Sequence, residues 1–332
     1  QKPAPVQISW LGYPFTTGLK NIDYRLVDEI VEPIGKTEHL NTEKLLRIPG
    51  LFCSYRPSIR SPERLVNGEL DIQPTPALHN KFVTFGSCNN PVKLSDQALR
   101  AWAEVMRQAP NSKLLIEAPD LNSGKPRNVL TQRLESHGID MSRVIFSDRI
   151  GNQQYSLYNK IDIALDTFPC NGGTTTCDAL FMGVPVVSVA GNTFMSRLGA
   201  TLLHNASHPE WLANSVEEYI KIAVNMAGDI APLAHTRETL RDEVENSPLM
   251  DEIGFARKVE RAYREIWKNW CSQQTAGKSV EWQNNQEVDE VDEEENSLTH
   301  DAMRQNILLL LNNNQWHAAQ EKLETLNTAY QK

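Results

Sequence analysis

The chain has 332 residues, enough at about 150 per domain for two domains, and its five cysteines (Cys53, Cys88, Cys170, Cys177, Cys271) are scattered without a C-x-x-C pair, which argues against a disulfide framework or zinc site. No apolar run reaches the ~18 residues of a membrane span and Gln1 opens no charged-then-apolar signal, so a cytoplasmic protein is expected. The net charge of −9 equals the nine acids between Glu281 and Asp301, a stretch with no Lys or Arg; the rest is near neutral, which speaks against nucleic-acid binding.

Residues 1–80 read as a partial α/β lobe. Gln7–Gly12, Tyr24–Val27 and Leu45–Ile48 are strand candidates, and Gly12–Gly18 (GYPFTTG) is a loop following the first of them. Too few strands are present for a whole Rossmann-like lobe, so the chain is expected to open midway through its first domain. A Pro-, Ser- and Asn-rich stretch over residues 57–80 reads as a linker or lobe boundary.

From Lys81 to Cys271 the pattern is regular βα alternation, the signature of a doubly wound sheet. Lys81–Gly86, Lys113–Ala118 and Arg143–Ser147 read as strands. Ser95 caps a helix to Gln108 whose apolar face holds Leu99, Trp102, Val105 and Met106, and Asn128–Ser136 is a second helix closed by Gly138. A short helix over Asn152–Asn159 leads to the stretch that organises this half. There Ile161–Thr167 is a short apolar strand, and Pro169, Asn171, Gly172 and Gly173 form a turn with Thr174–Thr176 as hydroxyl caps. Thr175–Met182 is a helix ended by Gly183 and Pro185, and Val184–Val189 is a second strand. Helices follow over Ser196–Leu203, Val216–Met226, Ala234–Glu245 and Phe255–Trp270. Beyond Cys271, residues 272–297 read as an acidic disordered linker. Residues 298–332 read as a helical hairpin resembling one tetratricopeptide unit.

A βαβ unit puts its first turn at the carboxyl edge of the sheet, where open α/β sheets bind ligands. Two glycines, threonine hydroxyls and the free amides of a helix start suit a phosphate or pyrophosphate, although an ordinary βα turn with capping threonines has the same spacing. Asp178, one helical turn past Thr174, suits a ribose, whose hydroxyls donate to a carboxylate. The loop Phe85–Lys93 offers a second set. Asn90 and Lys93 open at the same edge, and a lysine there can neutralise charge on a leaving diphosphate, or can simply be solvated. Cys170 suits a small wall residue better than a nucleophile.

The stretches PAPVQISWLGYPFTTG, TFGSCNNPVKL, LDTFPCNGGTTTCDALFMGVPVVSVAG, SRLGATLL and ERAYREIWKNWC carry a close resemblance over Ala4–Cys271. That region resembles the catalytic region of the O-GlcNAc transferase and SPINDLY-type glycosyltransferases of GT-B fold, most nearly the bacterial members. The resemblance implies two Rossmann-like lobes facing a cleft and transfer of a sugar from a nucleotide sugar of UDP-GlcNAc or GDP-fucose type to Ser or Thr of a protein. It also implies inversion and no metal or cofactor. By motif, Asn90 and Lys93 would meet the diphosphate, with Lys93 the catalytic group. Gly173, Thr174 and Thr175 would bind phosphate and sugar, Asp178 the ribose, and Leu11, Gly12 and Cys170 would line the sugar.

The chain departs from the family at Glu117, where relatives commonly have a basic residue, at Gln154, where they have a histidine, and at Phe194, again in place of histidine. Each change removes a basic or hydrogen-bonding group expected near the nucleotide. A degenerate nucleotide-sugar-binding or scaffold domain is therefore the alternative to an active transferase.

Overall fold

The computed structural model of the chain describes residues 2–58, 68–119, 121, 124–149 and 154–276. The acidic stretch and the hairpin expected beyond residue 276 lie outside the described residues, as do 152–153 at the start of the short helix expected over Asn152–Asn159. Residues 1–275 form one compact unit.

Its larger sheet has six parallel strands: β4 Val83–Ser87, β5 Ser112–Ala118, β6 Val144–Asp148, β7 Ile163–Leu165, β8 Val186–Val189 and β9 Leu212–Ala213. Their spatial order is β6-β5-β4-β7-β8-β9. Renumbered within the sheet this is 3-2-1-4-5-6, the Rossmann order, and the direction of winding reverses between β4 and β7. The strands are short apolar runs because both faces are covered. Leu114 and Ile116 of β5 enter one core with Phe85, Trp102 and Val187, whereas Leu115 enters the other with Ala164, Val186 and Leu180.

Helices fill the two faces. α1 (Pro76–Asn80) precedes β4, and α2 (Asp96–Gln108) starts at Ser95, whose hydroxyl accepts from the Ala98 amide. All four residues of its expected apolar face are buried. α3 (Gly124–Ser136) begins four residues earlier than its apolar periodicity indicates. α4 (Thr174–Phe181) joins β7 to β8, and Gly183 just past it takes φ +72°, a left-handed conformation that ends the helix at no Cβ penalty.

The expected helix over Ser196–Leu203 is split into a 3₁₀ turn, Phe194–Ser196, and α5, Leu198–Asn205. Arg197 sits at the break, its guanidinium donating to the carbonyls of Ile30 and Gly191. α6 (Val216–Gly228), α7 (Ile230–Glu245) and α8 (Glu252–Ala276) complete the chain. α7 starts before Ala234 because the Asp229 carboxylate caps the Ala231 amide, and Pro232 is tolerated in a first turn.

The N-terminal residues make a three-stranded parallel sheet, β1 Ile8–Ser9, β2 Tyr24–Val27 and β3 Lys44–Arg47, in that order. β1 is shorter than Gln7–Gly12, since Leu11 at φ +62° leaves the extended region. Leu26, Val27, Ile48, Leu51 and Phe52 share a core with α4, α5 and α7. Polar ties reinforce this: Asp28, at the end of β2, accepts from the amides of Ile30, Val31 and Phe52 and from the Thr201 hydroxyl of α5.

Candidate functional site

The loops after β4 and β7 leave the sheet on either side of the reversal, so a crevice opens at the carboxyl edge between them. Asp166, immediately after β7, builds it. Its carboxylate is 1% exposed and accepts from the amides of Gly172 (2.7 Å) and Thr167 (2.8 Å), the Ser188 hydroxyl (2.6 Å) and Asn89 Nδ2 (3.4 Å). Burial raises its pKa to about 6, against the opposing pull of these hydrogen bonds and of Lys93. The Asp166 carbonyl accepts from Tyr219, whose hydroxyl accepts in turn from Trp102 Nε1. The turn therefore hangs from the core of the α2–α6 layer. Sequence reasoning missed Asp166; the available signal was an acid at each end of the apolar run Ile163–Leu165, Asp162 before it and Asp166 after it.

The two glycines of the turn differ. Gly172 is buried, and a Cβ there would stand 2.5 Å from Thr176 Oγ1, 2.9 Å from Thr175 Oγ1 and 3.1 Å from Asn89 Oδ1. Gly173 has no atom within 4 Å of its Cβ position and φ −115°. It is also the N-cap of α4, and no side chain caps that helix, so the hydroxyl caps expected from Thr174–Thr176 are corrected: the Thr175 hydroxyl donates instead to Asn89 Oδ1 at 2.9 Å. The first helical bonds run from the Thr176 and Cys177 amides to the Gly173 carbonyl, leaving the amides of Thr174 and Thr175 unpaired among the described residues. Gly172→Ala is expected to lower the melting temperature by several degrees, and Gly173→Ala to leave it within about 2 °C. Thermal melts of the two variants check this order.

Two contacts bring the β4 loop onto the turn. Lys93 Nζ donates to the Asn171 carbonyl at 2.7 Å, and Thr175 meets Asn89 as described. Asn90 does not face the turn through any hydrogen bond; its side chain accepts from the Val92 amide and caps the 3₁₀ turn Pro91–Lys93. Asn89, buried between Thr175 and Asp166, is the amide that joins the two loops.

The remaining expected site residues are spread out. Cys170 is half-buried in the turn, where burial raises its thiol pKa. Asp178 is 5% exposed and accepts from the Tyr55 hydroxyl at 2.6 Å. Leu11 and Gly12 lie in the exposed loop after β1 and make no hydrogen bond to the glycine turn. That loop is fixed by Glu43, which accepts from the Thr16 hydroxyl and from both the amide and hydroxyl of Thr17. Burial would raise the Glu43 pKa, but these bonds outweigh it and hold the carboxyl at about 2.

The three departures also have structural roles. Glu117, at the end of β5, is paired with Arg149, which donates as well to the Cys88 carbonyl, so a guanidinium from the β6 end still stands at this edge. Phe194 packs edge-on against Phe52 with Arg25 over its ring, joining the two sheets' segments. Gln154 stands next to Tyr155, whose hydroxyl accepts from the Ser58 amide at 2.6 Å. Among the described residues, no three His, Cys, Asp or Glu side chains are placed to hold a metal ion, and no helix is long and apolar enough to cross a membrane.

The model of glycosyl transferase family 41 matches residues 1–54 and 73–259. The chain belongs to this family. Relatives described as probable UDP-N-acetylglucosamine–peptide N-acetylglucosaminyltransferase SPINDLY include those of Arabidopsis thaliana, 38% identical over 272 residues, and Solanum lycopersicum, 37% over 273. These alignments cover 81% of this chain but only 29% and 28% of the relatives, so the chain spans less than a third of their length. A. thaliana SEC, similarly described, is 29% identical over 282 residues. A solved structure of a mutant Thermobaculum terrenum O-GlcNAc transferase superposes with a TM-score of 0.73 at 32% identity, covering 83% of this chain and 50% of that one. The family 41 match includes both loops of the crevice and the loop of Leu11 and Gly12.

Proposed function

We propose that this chain is the donor-binding and catalytic region of a protein O-glycosyltransferase, with residues 1–80 on the acceptor side and 81–271 holding the nucleotide sugar. The observation that carries this is the pairing of two unbonded amides, Thr174 and Thr175, at the start of α4 with the Lys93 ammonium drawn against the same turn. An amide pair at a helix start and a lysine are a diphosphate site in which charge on a leaving group is neutralised. Family membership and the activity ascribed to the relatives support a nucleotide-sugar donor of UDP-GlcNAc type and a protein acceptor, and GDP-fucose is the second donor to be tested.

In the proposed reaction a Ser or Thr hydroxyl oxygen attacks C1 of the sugar from the face opposite the diphosphate. The bond from C1 to the diphosphate oxygen breaks, the nucleoside diphosphate leaves with its electron pair, and the hydroxyl proton is released; configuration inverts. Lys93 and the α4 amides meet the diphosphate as it gains charge, Gly173 leaves room for it, and Asp178 meets the ribose. Leu11, Gly12 and Cys170 line the sugar. A cytoplasmic setting fits five scattered cysteines without a C-x-x-C pair.

The test is calorimetric titration of the 332-residue chain with UDP-GlcNAc and GDP-fucose, followed by transfer of the labelled sugar from the bound donor to Ser/Thr peptides. Saturable binding of one donor and labelled peptide are expected. Binding of neither donor would reject the proposal.

A further inference from the structure

Asp178 is held in an arrangement that neither the glycine turn nor the helix requires. Tyr55 lies in the coil after β3, outside the ranges matched by the family model, and its hydroxyl reaches Asp178 Oδ1 at 2.6 Å across 123 residues of sequence. Its ring packs against Phe181 of α4 with centroids 6.1 Å apart. The Tyr155 hydroxyl, fixed by the Ser58 amide at 2.6 Å, is a second phenol that favours the ionised Asp178 carboxylate. A carboxylate has about four acceptor positions; the Tyr55 hydroxyl fills one of them, which leaves enough for the two donors of a ribose 2′,3′-diol. A carboxylate buried only to tie two segments together would be a costly device, because an apolar pair of similar volume fills such a joint without desolvating a charge.

We propose that Tyr55 is a positioning residue for the donor: its hydroxyl aims the Asp178 carboxylate at the ribose diol, so the N-terminal segment takes part in binding the nucleotide held by the larger sheet. The inference rests on the reading of Asp178 as the ribose partner. The charged and titratable groups around Asp178 are Tyr55 from the coil after β3, Tyr155 and Tyr158 from the segment before β7, Arg149 from the β6 end, Cys88 from the β4 end and Cys177 beside it on α4. Of these, Arg149 and the phenols Tyr55 and Tyr155 favour the ionised carboxylate, whereas burial opposes it and brings its pKa to about 6. Ribose hydroxyls donate to the ionised form, so nucleotide affinity falls as pH drops through about 6. Removing the Tyr55 hydroxyl withdraws one stabilising bond and moves that fall to higher pH.

The experiment titrates UDP, GDP and their 2′-deoxy forms into the 332-residue chain and into Tyr55→Phe and Asp178→Asn from pH 5 to 8. Tyr55→Phe keeps the ring against Phe181. It is expected to weaken the preferred ribonucleotide about 3- to 10-fold at pH 7, to reduce its advantage over the deoxy form, and to raise the midpoint of the acid fall by about one pH unit, the scale of one hydrogen bond to a charge. An unchanged midpoint and an unchanged ribo-to-deoxy ratio, with the ratio lost in Asp178→Asn, would make Tyr55 purely structural and leave the ribose reading standing. Tighter binding by Tyr55→Phe would make Tyr55 a competitor and overturn the proposal. Wild-type behaviour in Asp178→Asn would remove the ribose reading itself, and the role of Tyr55 with it.

Discussion

Asp166→Ala is expected to destabilise the chain by about 3–5 kcal/mol and to abolish diphosphate binding with it, the largest effect of any single change at the crevice. The carboxylate is the shared acceptor of two backbone amides, Gly172 and Thr167, and of the Ser188 hydroxyl, all buried. Truncation leaves these donors unpaired at about 1–3 kcal/mol each, less than additively because the turn relaxes. Asp166→Asn keeps one carbonyl acceptor and is expected to cost about half as much.

The two residues also differ with pH. The folded-state pKa of Asp166, about 6, lies above its ordinary 3.8, so the protonated form favours the folded state. Its contribution is fully present below pH 3.8 and is lost as pH rises through about 6. The stability advantage of wild type over Asp166→Asn should therefore narrow between pH 4 and 7. Urea unfolding at several pH values measures it, and an advantage that widens over that range would mean that the carboxylate is not desolvated as the structure places it.

The sheet was legible because each central strand is buried on both faces and so reads as a short apolar run, and because glycines and N-caps punctuate the helices between them. Ser95, Gly138 and Gly183 each act at the helix end where the sequence put them. What was not legible depends on groups that meet from distant segments. Two neighbouring amides, Asn89 and Asn90, are equivalent in sequence; only the path of the loop after β4 turns Asn89 inward to Thr175 and leaves Asn90 to cap a 3₁₀ turn. Asp178 was placed at the ribose from its helical offset, but its bond to Tyr55 spans 123 residues, and no local pattern encodes that. The threonines after Gly173 carry the composition of a cap without its geometry, since the Thr175 hydroxyl is drawn to Asn89. Glycine composition likewise hid a division of labour: Gly172 is needed for close packing, while Gly173 leaves open space.

Lys93→Ala is expected to weaken nucleoside diphosphate binding by about 1.5–3 kcal/mol and to lower kcat by a further 10²- to 10³-fold, at small cost to folding. The structure explains the separation of these effects. Among the described residues the Lys93 side chain makes one hydrogen bond, from Nζ to the Asn171 carbonyl, while Asn171 is independently held through its amide to the Met195 carbonyl and its side chain to the Thr167 carbonyl. Removing the ammonium therefore leaves the turn in place, with a stability loss of about 1 kcal/mol. What it removes is the cation held on the same turn as the free amides of Thr174 and Thr175, and a dipole pair alone stabilises a leaving diphosphate less than a dipole pair with a full charge. In the proposed reaction charge on that oxygen grows as the bond to the sugar breaks, so the loss should fall more on kcat than on KM. Lys93→Arg restores charge but not the reach of a flexible ammonium, and should recover binding better than turnover. The checks are calorimetry with UDP and GDP and steady-state transfer with the accepted donor. Unchanged affinity and turnover in Lys93→Ala would reduce Lys93 to a brace between the β4 loop and the glycine turn, and the diphosphate would then have to be held by the α4 amides alone.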